Sequence, residues 1–430
     1  MQAARPTRRT ALKTSVAFGG YLIAPEVSAA DSTSANEQLN IACIGIGGRG
    51  AANVNGVKSQ NLVALCDVDQ QRAGKVFEQH NQAEKFADYR KMFDKLEKQI
   101  DAVVVSTPDH THFHPSMAAM ERGKHLYCEK PMAHSVGEVR QMTKMAVKQD
   151  VATQLGCQRH ALANMHRSVE LIQAGAIGDV SEVYSWVGGS RGMPSIPKTF
   201  PKVPETVDWD LWLGPAMPRP YDSTYCPYGW RFWWDFGTGE TGNWGCHILD
   251  IPFWALGLKY PSRVEGSGPE VDDQRTPKQM ATKMHFAEQG VDLHWDHASA
   301  GPAKLKELGI DGKGMNTLFI GSKGMLLTGF NKLRLLPEEK FADFKAPEPT
   351  IPKSPGFYKE WISACKGGEP ATCDFRYSGP LAETVLLGNA AYRAGGGFDW
   401  DGPSLTASGN GAVQPFLKSE YRKGWEVAEV

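Results

Sequence analysis

Apolar positions along the chain fall into two textures. Between residues 39 and 156 short, nearly unbroken apolar runs recur: LNIACIGI (39–46), NLVALCD (61–67), DAVVVST (101–107), HLYCEK (125–130) and VATQLG (151–156). The stretches between them, at 50–58, 70–80, 89–98, 115–122 and 135–149, have helical spacing. Continuous short runs separated by helical segments are the pattern of strands covered on both faces, and they predict a parallel sheet with helices on either side. After about residue 160 the texture changes. MHRSVELIQAGAIG (165–178) predicts a helix that stops at a glycine. EVYSWVGG, KMHFAEQGVDLHW and LFIGSKGMLLTG then predict antiparallel strands, and SGPLAETVLLGNAAYRAG (378–395) one late helix. The expected fold is α/β at the N-terminal side, over 39–160, followed over 161–430 by an α+β domain with a large, mainly antiparallel sheet.

The junction after the first strand adds chemistry. Gly45-Ile46-Gly47-Gly48-Arg49-Gly50 fits G-x-G-x-x-G and stands where a strand turns into a helix. Glycines there let the main chain approach a pyrophosphate, and the helix N-terminus supplies amide donors. Asp67 ends the second strand at the spacing expected of a carboxylate that binds ribose hydroxyls and repels a 2′-phosphate. These features together predict a Rossmann dinucleotide-binding domain that takes NAD.

The first 30 residues read as a leader rather than as part of a domain. Arg8-Arg9 precede Leu12-Lys13, an apolar stretch follows from Val16 to Ala24, and the segment ends on Val27-Ser28-Ala29-Ala30. That order predicts a signal read by the twin-arginine export machinery, with 31–38 as a polar linker. The expected location is the periplasm or elsewhere outside the cytoplasm, with a membrane tether if the signal stays uncleaved. The eight cysteines show no CxxC pair. Cys43, Cys66 and Cys128 fall on predicted strands as small apolar residues, and only Cys365 with Cys373 is left as a candidate disulfide. A formal net charge of −1 without a long basic run argues against a nucleic-acid partner.

At Glu129-Lys130-Pro131 the sequence resembles the Gfo/Idh/MocA family (glucose–fructose oxidoreductase, inositol dehydrogenase and MocA-type proteins). The resemblance takes in the G-x-G-x-x-G loop, Thr107-Pro108, EKP, WDLWLGP (209–215) and GNWGCH (242–247). It implies a sugar or polyol oxidoreductase with tightly bound NAD, working as a homo-oligomer. Lys130 then corresponds to the active-site lysine and His247 to the histidine of a D-x-x-x-H motif. Here Asn243 replaces the aspartate, so the imidazole is expected to be oriented without added charge. The cofactor is expected on Gly45, Gly47, Gly48, Arg49, Gly50, Asp67, Thr107, Pro108, His112, Glu129, Lys130 and Gln158. The secreted glycoside hydrolase family 109 is also similar. Its route is oxidation, elimination, hydration and reduction with recycled NAD, which makes net hydrolysis the alternative activity.

Oxidising a secondary alcohol requires a base for the hydroxyl proton and a cation or donor for the developing alkoxide, roles a histidine and a lysine can fill. For substrate, Arg159, Arg231, Tyr225, Tyr228, Trp233 and Trp244 are the candidates, since flat rings stack on sugars and charged groups bind hydroxyls. The tract Asp109-His110-Thr111-His112-Phe113-His114 has the look of a metal site, but its place after a Rossmann strand and before Pro115 favours a loop, and no metal is expected. His294 and His297, three apart on a strand, should face opposite sides.

Overall fold

The computed structural model describes residues 38–189, 191–297 and 301–430; the leader and most of the linker lie outside them. Six strands form the first sheet: β1 (Asn40–Ile44), β2 (Asn61–Cys66), β3 (Glu84–Phe86), β4 (Ala102–Val105), β5 (His125–Cys128) and β6 (Thr153–Leu155). Their order is β3-β2-β1-β4-β5-β6, all parallel. β4 and β6 are buried along their whole length, as two-sided cover by helices requires. Successive strands are added on one side of β1 up to β3 and on its other side from β4 on. The carboxyl ends of β1 and β4 therefore open a crevice, the usual ligand position in such sheets.

In this sheet the pattern does not predict β3. β3 has three residues, none fully buried, at the sheet edge. A segment that short leaves no apolar run to read.

The second sheet has nine strands: β7 (Val180–Val187), β8 (Arg263–Ser267), β9 (Met280–Phe286), β10 (Val291–His297), β11 (Thr317–Gly321), β12 (Gly324–Thr328), β13 (Leu333–Leu336), β14 (Phe398–Asp401) and β15 (Thr406–Ser408). Their order is β13-β12-β11-β7-β10-β9-β8-β14-β15. The β9–β10 and β11–β12 hairpins fall where the alternation predicts them. The sheet is mixed, because β7 and β10 run parallel. Along β10 alternate residues are buried, with His297 inward and His294 on the other face, stacked on Tyr184.

The helix Phe375–Arg393 packs on the helix Val136–Gln149, on β8 and on the helix Gly239–Ile248. A buried ion pair ties that junction: Arg140 Nε and Nη2 donate to the two Glu383 carboxylate oxygens, each at 2.7 Å. The main hydrophobic core runs through both sheets, with smaller buried clusters beside it. The eight cysteines are free thiols, with Cys373 beside Cys157 rather than Cys365. No helix among the described residues is long and apolar enough to cross a membrane.

Candidate active site

The crevice at the carboxyl ends of β1, β2, β4, β5 and β6 is a cavity of about 470 Å³. Its floor is the glycine-rich turn. Gly48 precedes the helix Arg49–Val57 with φ of 55°, a conformation that suits glycine. At Gly50 a Cβ would lie 1.8 Å from the Gly45 carbonyl oxygen, so no larger residue fits. No side chain caps the start of that helix, which leaves its N-terminal end open to a ligand. Asp67 braces the loop from β2. Its Oδ2 accepts from the Ile46 and Gly47 amides at 2.8 and 3.0 Å, and its Oδ1 from the Asp69 amide at 2.9 Å. Burial raises the Asp67 pKa above its ordinary value, against the opposing pull of these amides. Asp69 caps the next helix, accepting from Gln71 and Arg72. The glycine cradle, the uncapped helix end and the carboxylate on β2 fit a dinucleotide: the loop for its pyrophosphate, Asp67 for a ribose.

The EKP segment follows β5 and supplies two side chains of different kinds. Glu129 is almost fully buried in the cavity wall. Its Oε1 accepts from Arg49 Nε (3.1 Å), Asn53 Nδ2 (3.0 Å) and Gln158 Nε2 (2.7 Å). This hub links the phosphate loop to the segment after β6, an arrangement not apparent from sequence because Glu129 lies 80 positions from Arg49 and 29 from Gln158. Lys130 points the other way, and its Nζ donates to Asn243 Oδ1 at 3.1 Å. Asn243 in turn donates through Nδ2 to Glu240 Oε2 at 3.0 Å, and Glu240 is held by Arg191. Asn243 and His247 lie one turn apart on the helix Gly239–Ile248 and so share a face.

The asparagine therefore positions the lysine, not the imidazole as the D-x-x-x-H pattern suggested. His247 Nδ1 is buried without a partner, which leaves Nε2 for the cavity. Burial, with Lys130, Arg159 and Arg49 nearby, drives the His247 pKa well below the ordinary histidine value. The ring is neutral at pH 7 and can accept a proton.

The three imidazoles of the 109–114 tract each bond main chain. His110 lies against the Phe236 and Trp212 carbonyls, His112 between those of Pro131 and Thr107 (2.7 and 2.8 Å), and His114 Nε2 against that of Trp425. His112 thus couples the Thr107-Pro108 loop to the EKP segment.

Of the residues named for substrate, Arg159 and Arg231 line the cavity, whereas Tyr225, Tyr228, Trp233 and Trp244 do not. Trp233 is fully buried, donating to the Thr224 carbonyl, and Tyr225 packs edge-on against it. Tyr228 is about half exposed and meets Arg191. Trp244 lies beneath Arg159. The rings at the cavity are instead Trp212, Trp230, Trp425 and Tyr89.

A parallel sheet of this strand order, with a glycine-rich turn at its point of reversal and an acid closing the second strand, defines an NAD-binding oxidoreductase domain. Two family models match the chain: "Oxidoreductase family, NAD-binding Rossmann fold" over residues 39–157, and "Oxidoreductase family, C-terminal alpha/beta domain" over 176–290. Together they cover more than half of it, and the chain belongs to this Gfo/Idh/MocA oxidoreductase family.

An inositol 2-dehydrogenase of Rubrobacter xylanophilus is 30% identical over 149 residues, 33% of this chain and 42% of the relative. A glycosyl hydrolase family 109 protein of Solibacter usitatus is 29% identical over 166 residues, 34% and 36% of the two chains. The chain matches 22 to 54% of the length of such curated relatives. Among solved structures, the WlbA dehydrogenase of Bordetella pertussis, in complex with NADH and UDP-GlcNAcA, superposes with a TM-score of 0.62. Its identity is 16%, over 85% of this chain and 99% of that one. At that identity the likeness is one of fold.

Proposed function

We propose that the protein is an NAD-dependent oxidoreductase that moves a hydride between a sugar or polyol carbinol and a tightly held nicotinamide cofactor. The meeting of Lys130, Asn243 and His247 at the cavity above the glycine-rich loop carries this reading. When bound, NAD supplies the hydride acceptor. The protein's own groups handle the proton and the charge. The Lys130 ammonium, steered by Asn243, stabilises the developing alkoxide, and neutral His247 takes the hydroxyl proton through Nε2. The similarity to inositol dehydrogenases and the NADH-bound fold relative support the sugar or polyol class.

Similarity to a family 109 glycosyl hydrolase supports a second reading, in which the same first oxidation leads to elimination and net hydrolysis. The Arg8-Arg9 leader adds the proposal of twin-arginine export with cofactor already loaded.

One experiment separates these readings. The protein is recovered from the periplasm without added nucleotide, denatured and assayed for NAD, then supplied with free sugars and glycosides. Copurified NAD, reduced by a free sugar, is the expected result. Sugar release from a glycoside without net NADH moves hydrolysis to first place. Protein that emerges empty and inert towards both classes overturns the proposal. A periplasmic yield that is unchanged when Arg8 and Arg9 are both made Lys overturns twin-arginine export.

A further inference from the structure

Charge around the cavity does not balance. Five cationic side chains line it, Arg49, Arg72, Lys130, Arg159 and Arg231, against four carboxylates. Each carboxylate is already committed. Asp67 and Asp69 accept from main-chain amides. Asp109 accepts from the amide and hydroxyl of Thr238, at 3.1 and 2.6 Å. Glu129 is the hub shared by Arg49, Asn53 and Gln158. Arg49 alone among the five cations has an ion-pair partner in the cavity wall.

The two negative charges of a dinucleotide's pyrophosphate offset that excess of one in number, but they do so at the glycine-rich loop. Arg72 lies across Gly47 and Gly48, where a Cβ would meet its side chain at 2.5 and 2.4 Å, so its guanidinium covers the phosphate cradle. Arg231 stacks over Trp230 and Tyr228, with ring centroids at 4.1 and 4.7 Å, on the Arg72 and Asp109 side of the cavity.

Arg159 lies at the other end, with Lys130 and His247, where the reaction takes place. Its guanidinium carbon is 3.9 Å from the centre of Phe330 and 5.4 Å from that of Trp244. Packing over the two rings holds the guanidinium in place at the cavity wall. The charge that acts on it most is a second arginine, Arg49, which repels it. An oxidised nicotinamide adds yet another positive charge at this end. A neutral sugar would leave that repulsion in place.

We propose that the substrate carries a carboxylate, held by Arg159 with Lys130 beside it, so that the site selects a sugar acid over the corresponding neutral sugar. The proposal rests on the sugar oxidoreductase reading above. A planar guanidinium meets a carboxylate through two parallel N–H bonds, a geometry that an ammonium does not offer.

The test uses NAD-loaded protein and two kinds of measurement. Binding of D-glucuronate, D-galacturonate and D-gluconate is compared by calorimetry with that of D-glucose and D-galactose, and kcat/KM is measured for the same panel. At least one acid is expected to bind about 10- to 100-fold more tightly than its neutral parent. Arg159→Gln is expected to erase that preference and Arg159→Lys to keep part of it, with the thermal midpoint of each NAD-loaded variant reporting its folding. Neutral sugars that bind as well as the acids, binding of neither class, or a preference that survives in Arg159→Gln overturns the proposal. Acids that bind by way of Arg159 without any redox turnover would sustain it and remove the oxidoreductase reading instead. Turnover confined to neutral sugars would do the reverse.

Discussion

Replacing Lys130 by Met is expected to lower kcat/KM about 1000-fold, the scale of a lost proton-transfer or charge-stabilising group. Methionine keeps the length and apolar stem of the side chain, so the cavity keeps its shape while Asn243 loses the donor at 3.1 Å. The cause is specific to the transition state: charge develops on the substrate oxygen only as hydride leaves, and only then does the ammonium matter most. A second readout separates this from a general loosening of the site. His247 is held below the ordinary histidine range by burial first and by Lys130 next. The rate needs the neutral ring, so the acid limb of kcat/KM in the wild type lies well below pH 6.5. Removing the lysine charge lets the imidazole pKa rise, and the limb of the residual activity should move up toward pH 6.5. Near-normal turnover in the variant would exclude Lys130 from the chemistry. A large loss with an unmoved limb would leave Lys130 essential but uncouple it from His247.

The N-terminal half of this arrangement is legible in the amino-acid pattern because each of its signals is local. Buried parallel strands read as apolar runs, and Gly45 to Gly50 stand directly at a strand end. Lys130 is reached from a three-residue motif. The partner of Asn243 was not legible, since a sequence gives no means of choosing between His247, four residues on, and Lys130, 113 positions away. Aromatic residues were misread for the same reason. Trp230 and Trp233 are three apart and belong to one buried cluster with Tyr225 and Phe236, yet of the two Trp230 lines the cavity and Trp233 does not. Trp425 reaches the site from the C-terminal tail, where its sequence neighbourhood carries no sign of it. The parallel pairing of β7 with β10 depends on a long connection, and strand patterns specify faces rather than neighbours.

Acidification from pH 7 to pH 5 is expected to destabilise the fold steeply, and the buried histidines set the window. His110 is pushed down to about 3 and His297 to about 4, in both cases chiefly by burial, and His247 and His114 are lowered as well. In the unfolded chain each titrates near its ordinary value. Below about pH 6.5, then, the unfolded state binds protons that the folded state refuses. Stability is fully present above that pH and falls as the pH drops toward the folded values. Each such histidine removes roughly 1.4 kcal/mol per pH unit within its window. A handful acting together remove a large part of the roughly 5–15 kcal/mol that holds a typical domain. Asp67 and Glu383 oppose this in part. Burial raises both, so their proton uptake in the folded state favours it as the pH falls. The histidines outnumber them, and the net slope stays downward. The carbonyls of Phe236, Trp212 and Trp425 that His110 and His114 meet accept from the charged ring as well as the neutral one, so the cost of protonation is that of burying the charge. The measurement is the thermal midpoint at pH 8, 7, 6 and 5, with NAD release followed in the same samples. His297→Gln, with Nδ1 near Thr241 replaced by an amide that does not titrate, should flatten the slope between pH 6.5 and 5 by about one proton. A midpoint that stays level from pH 7 to 5 in the wild type would show that these imidazoles are not held neutral by the fold.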